Sequence, residues 1–271
     1  MKVRILSAVV LLPLLLVVLL VLPEVCTAVL IGVMAAVGAY ELLWGTGLVK
    51  HLRLNIYTAL MAFLVAMWSF FGMGYLPALI GVMIFASLLH GEVLFSHAKL
   101  PYAHITVCLA AGMLIPFFLS ALVRIHSGEN GRFLVLIPFA LAFLPDSGAY
   151  FVGRFFGKHK LAPNISPNKT VEGMVGGVLT GIAGMVIFGL VMQFGFGFRV
   201  NYLYAAIYGA VCALAAVFGD LSFSAIKRQT GIKDYGKVIP GHGGVLDRFD
   251  SMTIVAPVAE LLLLLLPVME R

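Results

Sequence analysis

The chain has 271 residues, of which 62% are hydrophobic and only 11% charged, with a formal net charge of +6. An ordinary soluble domain is about one quarter charged, so a soluble globular fold, a disordered chain and a small disulfide scaffold are all excluded. With a mean hydropathy of +1.07, the expected fold class is an all-α polytopic membrane protein. A membrane barrel would alternate over segments of about ten residues, whereas these runs are continuously apolar. The basic excess reads first as a topology signal, and nucleic acid is not an expected partner.

A spanning helix needs about 20 apolar residues, and that ruler predicts about nine spans. They cover 5–22, 25–45, 54–71, 74–91, 103–124, 133–153, 172–195, 203–226 and 252–269. The first follows Met1-Lys2-Val3-Arg4 and resembles a secretory signal. It is longer than a typical signal core and no small-x-small site follows, so an uncleaved helix is expected. Gly72-Met73-Gly74 makes a short hinge, which leaves spans three and four readable as a re-entrant pair. Cys26, Cys108 and Cys212 are scattered, with no CxxC pair, and read as inert buried thiols.

Placing the amino terminus inside puts Lys2, Arg4, Lys50, Arg53, Lys99, Arg154, Lys158, Lys160, Lys169, Lys227, Arg228, Lys233, Lys237 and Arg248 on the cytoplasmic side. Arg124, Arg132, Arg199 and Arg271 fall outside, as does the carboxyl terminus. This bias predicts polar loops facing the cytoplasm, and the membrane is expected to be a bacterial inner (plasma) membrane. Residues 1–130 read as a helical scaffold, with a dimerisation surface as one further use. Residues 131–271 read as the catalytic region, carrying two long polar loops at 154–171 and 227–251. Those loops hold half of all Lys and Arg.

Within the sixth span, Asp146 lies eight residues, about 12 Å of helix, before Arg154. A carboxylate at that depth is costly and points to function. Asp146, Tyr150 and Arg154 share a helix face, and Pro145 suggests a kink or a break. After a break, Asp146 would simply cap the second half-helix. The loop that follows has two prolines and two glycines, which stop a helix. It also has four cations, with Ser166 and Lys169 among the groups suited to phosphate oxygens. The plainer reading is a basic loop near anionic headgroups. Thr170 is the expected N-cap of the next helix, with Glu172 in its first turn. Gly173, Gly176, Gly177, Gly181 and Gly184 read as helix packing.

The eighth span ends with Asp220, Ser224, Lys227 and Arg228 on one face. An internal salt bridge with a snorkelling Lys is the simple alternative. Beyond it, Gly241, Gly243 and Gly244 allow positive φ and close backbone approach, a turn that can aim N–H groups at an anion. His242 can donate to phosphate or polarise an oxygen. Asp247 and Asp250 lie one turn apart at the start of the last helix. Paired carboxylates beside such a turn suit Mg2+, which takes one or two carboxylates and completes its shell with water and phosphates. The residues together describe a membrane-embedded site for a metal, a polyphosphate and a lipid phosphate.

These residues also resemble a known family. Ser224-x-Ile226-Lys227-Arg228-x4-Lys233-Asp234-x-Gly236-x2-Ile239-Pro240-x-His242-Gly243-Gly244-x2-Asp247-Arg248-Phe249-Asp250 looks like the signature of phosphatidate cytidylyltransferases. Asp146-Ser147-Gly148-Ala149-Tyr150, Gly153-Arg154 and Ser166-Pro167-x-Lys169-Thr170-x-Glu172-Gly173 are similar to that family's pattern too. Phe223 departs from it, since many members carry Glu there.

The resemblance implies a Mg2+-dependent, generally homodimeric enzyme that converts CTP and phosphatidic acid into CDP-diacylglycerol and pyrophosphate. One or two divalent ions are expected, and a second site for a monovalent or divalent ion is allowed. On this reading Asp220 and Asp247 are the metal ligands, with Asp250 and Asp146 as second choices. Lys227, Arg228, Lys233 and Arg248 hold phosphates. Ser166, Lys169, His242, Gly243 and Gly244 complete the cradle, and Arg154, Ser224 and Asp234 belong to the substrate site. A CTP-dependent polyprenol kinase, a CDP-archaeol synthase and an anion transporter are the alternatives. The transporter would show paired repeats, and none is visible.

Overall fold

A computed structural model of the protein describes residues 2–72, 74–97 and 99–270, with side chains from residue 9 onward. Met73 of the expected hinge and the orienting charges of Lys2, Arg4 and Arg271 therefore lie outside what is described. The chain divides into two compact units. One comprises Met1–Arg132 with Lys227–Phe249, the other Phe133–Ile226 with Asp250–Arg271. The second polar loop thus groups with the amino-terminal helices.

The first unit begins with α1 (Lys2–Leu20) and α2 (Glu24–Tyr40), which runs on into a π-helical turn, Glu41–Gly45. Then come α3 (Leu52–Phe71) and α4 (Tyr75–Phe95). The next span is built from α5 (Ala103–Leu109), a second π-turn (Ala110–Leu114), α6 (Ile115–Leu119) and α7 (Ala121–His126), and α8 (Gly131–Leu134) ends the segment. α2 packs on α3 through small residues: Ala28, Ala35 and Ala39 are buried, and Gly32 leaves room for the Phe63 ring. Without a hydrophobic force between helices in lipid, such close approach is what holds spans together. α3 ends on Gly72 in the left-handed region, φ 57°. α3 and α4 have 20 and 21 residues and are both long enough to cross a bilayer. The re-entrant reading of this pair therefore gives way to two full-length helices.

The second unit is built on α9 (Leu136–Phe156), a hairpin of β1 (Lys160–Ala162) and β2 (Ser166–Thr170), and α10 (Val171–Phe196). It continues through β3 (Arg199–Val200) into α11 (Tyr202–Gln229). α12 (Leu246–Phe249) belongs to the first unit, and α13 (Met252–Leu265) and β4 (Met269–Glu270) return to the second. α9 runs unbroken through Pro145, so the break expected there does not occur and Asp146 caps nothing. Membrane helices tolerate proline more readily than soluble ones. Here Gly177 of α10 lies against the Pro145 carbonyl, and Gly181 lies against the Gly209 carbonyl of α11. The glycines of α10 serve packing, as expected. Its outward face, Val175, Leu179, Ile187, Leu190 and Phe194, is exposed and apolar, as a lipid-facing surface must be.

Seven helices among the described residues are long and apolar enough to cross a membrane. The last expected span is shorter than its apolar run. α13 has 14 residues, about 21 Å, against the roughly 30 Å of a bilayer core. The chain then leaves the helix, and β4 pairs antiparallel with β3, Arg199 opposite Glu270. Tyr208 Oη donates to the Leu266 carbonyl at 3.0 Å and ties down this exit. Residues 199–200 and 269–270 thus share one end of the second unit.

Candidate active site

In the second unit, the hairpin delivers a lysine to an intramembrane acid. β2 ends at Thr170, whose Oγ1 accepts from Gly173 N at 3.1 Å and caps α10 as expected. Glu172, in the first turn, accepts from Lys158 N at 3.0 Å and from His159 Nδ1 at 2.6 Å. The carboxylate thereby pins the strand entry to the helix start. With the hairpin fixed at this end, Lys169 Nζ ion-pairs with Asp220 Oδ2 of α11. Ser224, one turn on and buried, donates to Asp220 Oδ1 at 3.2 Å. Asp146 of α9 lies within electrostatic reach of both Lys169 and Asp220. Arg154 Nη1 donates to Tyr150 Oη at 2.8 Å, so the predicted face of α9 is real. Arg154 sits in the last turn of the helix and not in the loop.

In the first unit, the glycine-rich segment folds around Asp247. Lys227 Nζ bonds Asp247 Oδ1 at 3.1 Å, with the two side chains only 14% and 3% exposed. The other oxygen, Oδ2, accepts from Tyr235 N at 2.8 Å and Gly244 N at 3.0 Å. Lys227 also lies over the Tyr235 ring, 5.3 Å from its centroid. Gly241 and Gly243 have φ 77° and 90°, the left-handed conformation that glycine adopts at no steric cost. Ile239 N donates to Gly243 O at 2.8 Å and His242 N to Ile239 O at 2.9 Å, which closes the turn. Arg248 Nε donates to the His242 carbonyl at 2.8 Å. A polar cavity of about 360 Å3 opens here, lined by Asp234, Lys237, His242 and Arg248 among others.

The simple salt bridge along α11 does not form. Asp220 takes its cation from β2 and Lys227 takes its anion from α12, so these two ions are each paired with another element. The turn does present N–H groups to anions, but the anions are the protein's own carboxylates. The Gly244 N–H is spent on Asp247, and those of Val245 and Leu246 on Glu41, at 3.0 and 2.9 Å. Gly244 therefore serves through its missing side chain: a Cβ there would meet the Glu41 carboxylate at 2.5 Å.

Arg228, Lys233 and Asp234 are exposed, and Ser166 is half-buried on β2. Asp250 is buried, and its Oδ1 accepts from Ser251 N at 2.7 Å. It does not share a helix with Asp247, because α12 ends at Phe249 and a turn at 250–251 precedes α13. Phe223, the departure from the pattern, is buried. Glu41 escaped the sequence reading although its signal was the same as that of Asp146: an acid within an apolar span.

For a metal, the donors must be judged by their chemistry. Among the described residues, no three His, Cys, Asp or Glu side chains gather as a ready-made cage. Asp220 and Asp247 are each balanced by a lysine, and Asp247 Oδ1 keeps lone-pair capacity beside its lysine. Isolated carboxylates of this kind fit Mg2+, which draws most of its shell from water and phosphate.

The model of the cytidylyltransferase family matches residues 2–266. A phosphatidate cytidylyltransferase of Staphylococcus haemolyticus is 42% identical over 136 residues, 50% of this chain and 51% of the relative. One from Haemophilus influenzae is 43% identical over 156 residues, 55% of this chain and 53% of the relative. The aligned region thus spans about half the length of these curated relatives. A family match over nearly the whole chain carries the assignment: the chain belongs to the cytidylyltransferase family.

Proposed function

We propose that the protein is a phosphatidate cytidylyltransferase, transferring CMP from CTP to phosphatidic acid to give CDP-diacylglycerol and pyrophosphate. The observation that carries this reading is the pair of lysine-balanced acids, Lys169–Asp220 and Lys227–Asp247, within the region matched by the family. The names of the relatives support the substrates. In a chain with so few charges, a low-exposure Lys–Asp pair costs desolvation. Its retention is accounted for if the lysine moves to phosphate oxygens when substrate arrives.

The reaction would proceed by in-line attack of a phosphatidate oxygen on the α-phosphorus of CTP, with pyrophosphate leaving. Positioning and charge neutralisation suffice, as in other phosphoryl transfers. Lys227 and Arg248 hold phosphate oxygens at the glycine turn, and His242 donates from the turn itself. Lys169, Ser224 and Asp146 organise Asp220. Asp220 in the second unit and Asp247 in the first would each offer carboxylate oxygens to Mg2+, which when bound would help neutralise phosphate charge. No side chain needs to form a covalent intermediate. The charge bias supports a site on the cytoplasmic side, the bacterial relatives support an inner-membrane location, and a homodimer is proposed on the resemblance.

The test is pyrophosphate release by the purified protein. It should require CTP, phosphatidate and Mg2+ together. Release of CDP in place of pyrophosphate would overturn the reading in favour of a lipid kinase.

A further inference from the structure

We propose that Glu41 is a positioning residue of this site, acting from the second span to hold the glycine segment in the shape that seats CTP. The proposal rests on the reading that the polar cavity of the first unit takes the nucleotide.

Glu41 is 3% exposed and begins the π-helical turn at the end of α2. π-Turns within helices are often found at functional sites. Its two oxygens accept separately from consecutive peptide groups, Oε1 from Val245 N and Oε2 from Leu246 N. The preceding N–H, that of Gly244, goes to Asp247. Three successive donors are therefore divided between two carboxylates, one remote and one in the site.

The segment is shaped to receive this acid. A side chain at Gly236 or Gly244 would collide with the Glu41 carboxylate, and the Tyr235 carbonyl lies against Gly45 at the far end of the same π-turn. The peptides anchored here flank the Gly243 turn and lead directly into Asp247 and Arg248. Tyr235 N and Gly244 N are the two donors that orient Asp247 toward Lys227. Glu41 thus acts through backbone: it fixes Val245 and Leu246, the peptides between Gly244, whose N–H holds one oxygen of Asp247, and Asp247 itself, just beyond the turn carrying His242. An acid serves better than an amide, because both oxygens must accept and a Gln nitrogen would point a donor at a donor.

The experiment uses the full chain in detergent, with Glu41→Gln and Glu41→Asp compared with wild type. Two readouts are taken: hydrogen exchange at the Val245 and Leu246 amides, and separate KM values for CTP and phosphatidate. Charge-assisted hydrogen bonds of this kind predict about tenfold or more faster exchange in Glu41→Gln. The CTP KM should rise about tenfold while the phosphatidate KM stays within about twofold. Glu41→Asp keeps both acceptors on a shorter arm and should fall between. Should Glu41→Gln fail to fold, Gly236→Ala, which presses a methyl on the same carboxylate from the other side, should show the same KM split. Unchanged exchange at the two amides would overturn the clamp. Faster exchange with an unchanged CTP KM, or equal rises in both KM values, would overturn its positioning role. A wild-type protein that releases no pyrophosphate would sink the functional reading instead, and the exchange result would still judge the clamp.

Discussion

The Lys227–Asp247 pair offers the most informative perturbation. At 3.1 Å, the Coulomb attraction is about 5 kcal/mol at an effective dielectric of 20, offset in part by desolvation. Removing one partner takes the opposite charge away from the other where exposure is low, the two side chains being 14% and 3% exposed. Such losses typically cost about 3–5 kcal/mol. In Asp247→Asn the new amide has a choice of two bad fits. With its NH2 toward Lys227 it opposes an ammonium. Flipped, it loses the donors of Tyr235 and Gly244. In Lys227→Met the carboxylate keeps those two donors but loses its cation. The double variant resolves both problems, because the Asn oxygen can face the two N–H groups with no ammonium opposite. We expect each single variant to lower the detergent-solubilised melting temperature by roughly 10 °C, at about 2–4 °C per kcal/mol. The double variant should recover at least half of one such loss, a coupling of about 2 kcal/mol. Pyrophosphate release should be lost in all three, separating stability from chemistry. A double variant whose loss equals the sum of the singles would refute the reasoning, because it would show that the two charges do not depend on each other.

Asp220→Asn should shift the Mg2+ concentration needed for half-maximal turnover upward by about tenfold or more; near-wild-type turnover at limiting Mg2+ would remove Asp220 from the ligand set. Thr170→Val removes the cap on α10 and should cost about 1 kcal/mol, read as faster exchange at the Gly173 amide with α11 unaffected. Gly181→Val would drive a side chain into the Gly209 carbonyl and should destabilise the protein by about 2 kcal/mol or more, seen as a lower melting temperature at unchanged CTP KM.

Much of this protein was legible in its sequence because the bilayer imposes a harsh local rule. Uninterrupted apolar runs of about 20 residues can be little else than spanning helices, and an ion among them must have a reason to be there. That logic located Asp146, Asp220 and the two basic loops, and the Thr170 cap followed from a local hydrogen-bond pattern. Sequence could not say which cation meets which acid. Lys227 and Asp220 share a helix face, yet each is paired with another element, because partners are chosen by how elements pack and not by helical spacing. The early stop of α13 was legible at Pro267, which disfavours helix at Leu266, whereas the pairing of β4 with β3 that follows was not. Glu41 is the clearest case. Its burial could be suspected from its neighbours, but its partners lie 204 and 205 residues away. The sequence by itself determined the class of protein and its scarce chemical groups. Only the tertiary structure decided that the glycine turn is filled by the protein's own carboxylates, because Glu41, distant in sequence, takes the Val245 and Leu246 N–H groups and leaves that of Gly244 to Asp247.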